Sequence, residues 1–230
     1  MKRYTTFFVM FIGFVGLKPY WAVSATPSVI SEMVVPALTL RLSDGNASVR
    51  QATVFALHEM GPAAKAAIPA LAQRLRDEDH YVAVDAAHAL EGLGADAVPS
   101  VVPLLWDSQP RVRELAARTL GQIGPDAKAA VPALAHALSD PDASVRQAAA
   151  VALREMGPAA VAAMPALAQR LRDPDPYVAI DSSLTLQGMG VDAMPAIVPL
   201  LSDGNPRTRE LASLTLRRIG LDIGPGISKY

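Results

Sequence analysis

Apolar side chains return every three or four positions over nearly the whole span from residue 34 to residue 220, the spacing of one helical face. In the stretch 145–160, VRQAAAVALREMGPAA, the apolar set is Val145, Ala149, Ala152, Leu153 and Met156. It predicts an amphipathic helix ending at Gly157, read as a left-handed stop, with Pro158 unable to continue the helix. A second helix starts near Pro165, since proline suits a first turn, and buries Met164, Leu167, Ala168 and Leu171. Asp173-Pro174-Asp175-Pro176 then breaks the chain before the next helix.

This two-helix phrase repeats. Residues 49–64 read VRQATVFALHEMGPAA, 96 positions before their twin. Five units follow one another, at 48–80, 81–110, 111–143, 144–176 and 177–206, with half units at 34–47 and 207–220. Their lengths of 33, 30, 33, 33 and 30 residues make the period of 96 a duplicated three-unit block. Neither helix of a pair buries its apolar face alone, whereas stacked neighbours share a continuous core. The expected fold is therefore all-α, an α-solenoid of stacked helix pairs, forming one body over residues 26–230. Alanines at the helix contacts predict axes at the short end of ~8–10 Å.

The recurring words are V-R-x-x-A-A-x-A-L-x-x-[IM]-G, then V-P-A-L, then L-x-D. On these words the chain resembles the HEAT-like repeat of the E-Z type, named for phycobilin (PBS) lyases. The resemblance implies a solenoid of two helix layers. It implies no single activity, because that family includes bilin lyases, iron-dependent deoxyhypusine hydroxylases and plain scaffolds. The hydroxylases hold two irons with His-Glu pairs just after V-R. The matching positions here are Gln51-Ala52, Glu114-Leu115, Gln147-Ala148 and Glu210-Leu211, and none carries histidine. His58-Glu59 falls late in its helix, out of phase with that pattern.

Composition narrows the chemistry further. The chain is 51% hydrophobic but only 5% aromatic, which favours closely packed helices over a β-rich core. Having no cysteine, it has no disulfide, thiolate zinc site, iron–sulfur cluster or cysteine nucleophile. The first 25 residues differ in character: Lys2 and Arg3, an apolar run from Phe7 to Leu17, then Val23-Ser24-Ala25. This is the three-part layout of a signal peptide cleaved after Ala25, and it places the mature protein in the periplasm or outside the cell. A run so short cannot cross a bilayer as a helix. An uncleaved anchor, or an intracellular protein with a misleading leader, are the alternatives. Cleavage removes Lys2, Arg3 and Lys18 and takes the formal charge from −1 to −4. With no basic run left, nucleic acid is not an expected partner.

No phosphate loop, nucleophile elbow or paired-histidine metal helix is present, and no cofactor is expected. His80 and His88 lie two turns apart on one helix face and are read as exposed side chains lacking a third ligand. Arg50, Arg113, Arg146 and Arg209 share one column, and Asp44, Asp77, Asp107, Asp140, Asp173 and Asp203 close the second helices. An Arg–Asp ladder between units is the structural reading, and a charged binding stripe is the functional one. In the 30-residue units Ala83 and Ala179 replace the arginine, so Asp85 and Asp181 should find other partners.

The second helices are expected to line a concave face, with Arg41, Arg74, His136 and Arg170 toward solvent. In the short units the same columns hold Pro103-Leu104 and Pro199-Leu200, where the proline should shorten the helix and bend the array. Leu104 and Leu200 are either apolar binding patches or covered by neighbours. Trp106, whose twin is Ser202, is either an interface anchor or a packing residue. Arg41, Arg74, Leu104, Trp106, His136, Arg170 and Leu200 are thus the candidate partner-binding residues of a non-enzymatic scaffold for a protein or peptide. An enzyme or enzyme accessory, of the hydroxylase or chromophore lyase kind, is the alternative. The last helix carries Leu211, Leu214, Leu216 and Ile219 without its usual partner helix, so weak self-association through it is expected. Positions that differ between the twin blocks, such as Phe55/Val151, His58/Arg154 and Lys65/Val161, are where individual function would be written.

Overall fold

The computed structural model describes residues 27–220, with side chains from residue 32 onward. The leader at 1–25 and the tail at 221–230 lie outside the described residues. Helix α1 spans Pro27–Arg41, α2 Ala47–Met60, α3 Ile68–Arg74, α4 His80–Leu93 and α5 Val98–Val101. Then come α6 Pro110–Ile123, α7 Val131–Ala137, α8 Ala143–Met156 and α9 Met164–Arg170. Helices α10 Pro176–Gly188, α11 Met194–Ile197 and α12 Pro206–Arg218 complete the series. Helices α2, α4, α6, α8, α10 and α12 stack as one layer, and α3, α5, α7, α9 and α11 as the other. The fold is the expected α-solenoid.

The sequence reading missed a third helical piece in each unit. Gly61–Ala67, Gly124–Ala130 and Gly157–Ala163 are 3₁₀ helices, and shorter ones run over Gly94–Ala97 and Gly190–Ala193. Gly157 starts its segment at φ 57° and ψ −132°. It is not the expected left-handed stop, because ψ is extended there. Only glycine tolerates that pair, so the helix ends and the chain re-enters a tighter helix at once. The opening half unit also differs from expectation: α1 starts at Pro27 and runs through Pro36.

The short units behave as their prolines require. Helix α5 is four residues long and passes into a 3₁₀ helix at Val102–Trp106; α11 does the same at Val198–Ser202. Pro103 and Pro199 have no N–H to donate to the carbonyl of residue i−4, so the α pattern ends.

Leucines such as Leu57, Leu90, Leu120, Leu153 and Leu167 fill the core, each fully buried and contributing about 1.5–3 kcal/mol. Alanines set the spacing. A Cβ at Gly121 would lie 2.7 Å from Ala152 Cα, so α6 and α8 touch backbone to backbone. The inter-unit loops cap the next first helix. Asp44, Asp77, Asp107, Asp140, Asp173 and Asp203 each accept the N–H two residues on. Asn46, Asp79, Asp142, Asp175 and Asn205 are side-chain N-caps.

The Arg–Asp ladder is present. Arg50 meets Asp77, Arg113 meets Asp140 and Arg146 meets Asp173, each through two parallel hydrogen bonds of 2.6–2.9 Å. In the short units Asp107 and Asp203 are met instead by Arg76 and Arg172 of the preceding unit. Asp85 and Asp181 do change partners, accepting from Gln51 and Gln147 at 2.8 Å, with Arg154 also 3.2 Å from Asp181.

Candidate functional site

Concavities open on both layers of the array. On the second-helix layer a groove of about 580 Å³ separates α9 from α11. Its walls are Val161, Met164 and Ala168 on one side and Asp192, Pro195 and Pro199 on the other. Leu200 lies among its lining, covered to all but 4%. The 3₁₀ segments place Val161 and Asp192 at its mouth, because each begins at a glycine break and runs up to the next second helix.

On the first-helix layer a cleft of about 430 Å³ opens between α4, α6 and α8. His80, His88 and Glu91 face Arg111, Glu114 and Arg118 across it, with Glu155 at one end. Burial pushes the Glu91 carboxyl up, while the nearby His88 and His58 pull the other way. Arg111 is turned to the Asp77 carbonyl at 2.6 Å, and Arg118 pairs with Glu114 at 3.2 Å. Arg118–Glu114 is thus an ion pair within the cleft, while Arg111 is held by a carbonyl outside its lining. His80 and His88 do share a face, and both are exposed. Among the described residues no three metal-ligating side chains converge.

The seven candidate partner-binding residues divide. Leu104 and Leu200 are buried, at 3% and 4% exposure, so of the two readings of these leucines the covered one holds. The cause is local: each sits in the 3₁₀ turn after its proline, where 120° per residue replaces 100° and carries the leucine inward. Arg74 and Arg170 are half-buried and held down. Arg74 donates to the Leu42 carbonyl at 3.0 Å and lies 3.3 Å from Asp77; Arg170 lies 3.5 Å from Asp173. Arg41 is exposed, 3.7 Å from Asp44. Trp106 is 55% exposed, and its ring centroid lies 6.3 Å from that of exposed His136. Sequence reasoning did not connect these two, which stand 30 residues apart at the ends of successive second helices.

Burial pushes the Asp77 carboxyl up. The Arg50 hydrogen bond, the Asp79 N–H and the charges of Arg50 and Arg74 outweigh it and hold Asp77 below the usual carboxylate range. Asp107 is likewise held low against burial, by the Gln109 N–H and by Arg76.

The family model described as HEAT repeats matches residues 35–113 and 98–164, more than half of the chain. Among solved structures, the complex of CpcE and CpcF of phycocyanin lyase from Nostoc sp. PCC7120 is similar, at 23% identity and TM-score 0.51. The match covers 89% of this chain and 81% of that one. A computationally designed armadillo repeat protein for modular peptide recognition is similar at 18% identity and TM-score 0.51, over 80% of this chain and 99% of that one. Both likenesses are of fold. No curated protein matches the chain. Among the described residues no helix is long and apolar enough to cross a membrane.

Proposed function

The chain belongs to the HEAT-repeat proteins, and from that premise we propose that it is a non-enzymatic protein–protein interaction scaffold. It acts in the periplasm or outside the cell and binds a protein or peptide segment on its second-helix layer. The observation that carries this reading is Trp106, the one tryptophan among the described residues, more than half exposed against His136 on the second-helix layer. Half-exposed tryptophans of this kind supply large contact area at low entropic cost. The test is capture of partners by the mature chain from its own compartment. Partners should be retained by the wild type and lost or weakened tenfold or more with Trp106→Ala. Capture of nothing above background overturns the reading. Export has its own check: the mature N-terminus, read by mass spectrometry, should be Thr26.

Weak self-association belongs to the same proposal. Helix α12 leaves Leu214 43% exposed and Leu211 half-buried at the end of the array. Sedimentation should show mass rising with concentration, and less so in Leu214→Glu. A strict monomer at high concentration removes this part alone.

A second reading keeps the chain as an enzyme or accessory, either of the chromophore lyase kind or as a metal-dependent hydroxylase. The fold likeness to the phycocyanin lyase complex and the charged cleft between α4, α6 and α8 support it. Stoichiometric iron, or bilin retained through purification, would replace the scaffold reading.

A further inference from the structure

The groove between α9 and α11 has a twin 96 positions earlier, between α3 and α5, and the two differ where it matters. Pro69, Ala72, Gln73, Arg76, Asp96, Pro99, Pro103 and Leu104 recur unchanged as Pro165, Ala168, Gln169, Arg172, Asp192, Pro195, Pro199 and Leu200. At the mouth of the first copy Lys65 reaches across, its Nζ 2.5 Å from Asp96 Oδ2. At the mouth of the second copy Val161 stands in place of Lys65 and is 43% exposed. Asp192 therefore keeps the carboxylate and loses the lysine, and it has no ion pair among the described residues. Beside it Val191, 63% exposed, replaces Ala95. The second copy thus shows solvent two extra valines flanking an unpaired acid, over a groove of about 580 Å³.

We propose that this groove binds an extended segment of a partner protein that carries a lysine next to an aliphatic side chain. The first copy gives the geometry: the incoming lysine takes the place of Lys65 and sets its ammonium on Asp192. The aliphatic neighbour covers Val161 and Val191, surface that neither a bare amine nor an anion would cover. Exposed valines in place of lysine and alanine are what an interaction surface adds to a copy that is otherwise closed by its own ion pair. This inference rests on the scaffold reading and names its partner chemistry.

The experiment uses the full mature chain and a fluorescein-labelled heptapeptide, Gly-Ser-Leu-Lys-Val-Ser-Gly, with a Lys→Glu version as control. Fluorescence anisotropy should show one site that prefers the lysine peptide. Asp192→Asn should weaken it about fivefold, the range of an exposed ion pair. Val161→Lys restores the internal bridge and removes one valine, so it should weaken binding at least as much as Asp192→Asn, whereas Lys65→Val frees Asp96 in the first groove and should raise the stoichiometry from one to two. Both positions are on the surface, and circular dichroism checks that the variants keep the fold. Equal binding by wild type and Val161→Lys, or no preference for lysine over glutamate, overturns the proposal. So does binding that strengthens in Lys229→Ala, which would give the groove to the chain's own tail. A partner captured equally by wild type and Val161→Lys overturns the groove while leaving the scaffold reading in place.

Discussion

Arg146 donates through Nε and Nη2 to both oxygens of Asp173, at 2.9 and 2.8 Å, and through Nη1 to the carbonyls of Asp140 and Pro141. It joins the loop before its own helix to the loop after the next one, so one side chain fixes the stacking of two units. Arg209 holds the same column at the end of the array. It binds only the carbonyls of Asp203 and Gly204 there, since no further second helix brings a carboxylate to it among the described residues. The two arginines therefore separate inter-unit pairing from loop closure. Arg146→Ala leaves Asp173, whose side chain is fully covered, without its main counter-charge and should cost about 3 kcal/mol. Arg209→Ala should cost less than about 1 kcal/mol. Urea unfolding of the two variants checks the contrast, and equal losses would remove the special role of the pair. The same carboxylates set the acid response. Asp77 and Asp107 are held below their unfolded value, so their contribution is complete above about pH 4 and disappears as pH falls through the lower folded value. Thermal melts should fall steeply below pH 4.

At the scale of the helix, the 96-residue duplication supplies an internal control. Helix α4 carries Ala86, Ala87 and Ala89 where α10 carries Ser182, Ser183 and Thr185, all buried. Three hydroxyls have entered a space shaped for methyl groups. Ser183 is paired with Thr215 at 2.7 Å, and Thr185 donates to the Asp181 carbonyl at 2.7 Å. The Ser182 and Thr208 hydroxyls are buried and have no hydrogen-bond partner among the described residues. Ser182→Ala and Thr208→Val, which restore the side chains of Ala86 and Val112, should each stabilise the protein by about 1 kcal/mol. A loss of stability in either would show that the hydroxyl has a partner in solution. Gly121→Ala runs the other way, because its Cβ would press on the α8 backbone, and should cost about 1–3 kcal/mol. The long helices and the Arg–Asp ladder were legible in the sequence, since each follows from spacing or from a recurring charged column. The 3₁₀ linkers were not: a Gly-Pro-Ala-Ala run reads as a break, and only the ψ of Gly157 shows the chain turning into a tighter helix. Burial of Leu104 and Leu200 stayed one of two readings, because the 3₁₀ turn that carries them inward is not written in the spacing. The groove was half legible, because the Lys65/Val161 exchange is visible in the sequence while its facing acids, Asp96 and Asp192, are brought to it only by stacking.

Across the molecule, each unit touches only its neighbours, so stability is built from unit terms and interface terms along one direction. The interfaces are unequal. Helices α6 and α8 meet at the Gly121–Ala152 approach and pack over most of their length, whereas α6 meets α4 less extensively and leaves the cleft between them. Among the described residues, α12 and α1 at the two ends each pack against the array from one side only. The joint between α6 and α8 is the most extensive between two helices among the described residues, so it should be the last to open. Local opening should therefore begin at the ends and reach the centre last. Amide hydrogen exchange should show protection rising from α12 and α1 toward α6 and α8, and a Gly121→Ala variant should flatten that gradient by loosening its centre. Uniform protection along the array would mean that it unfolds as a single cooperative block, with the interface differences too small to separate one unit from the next.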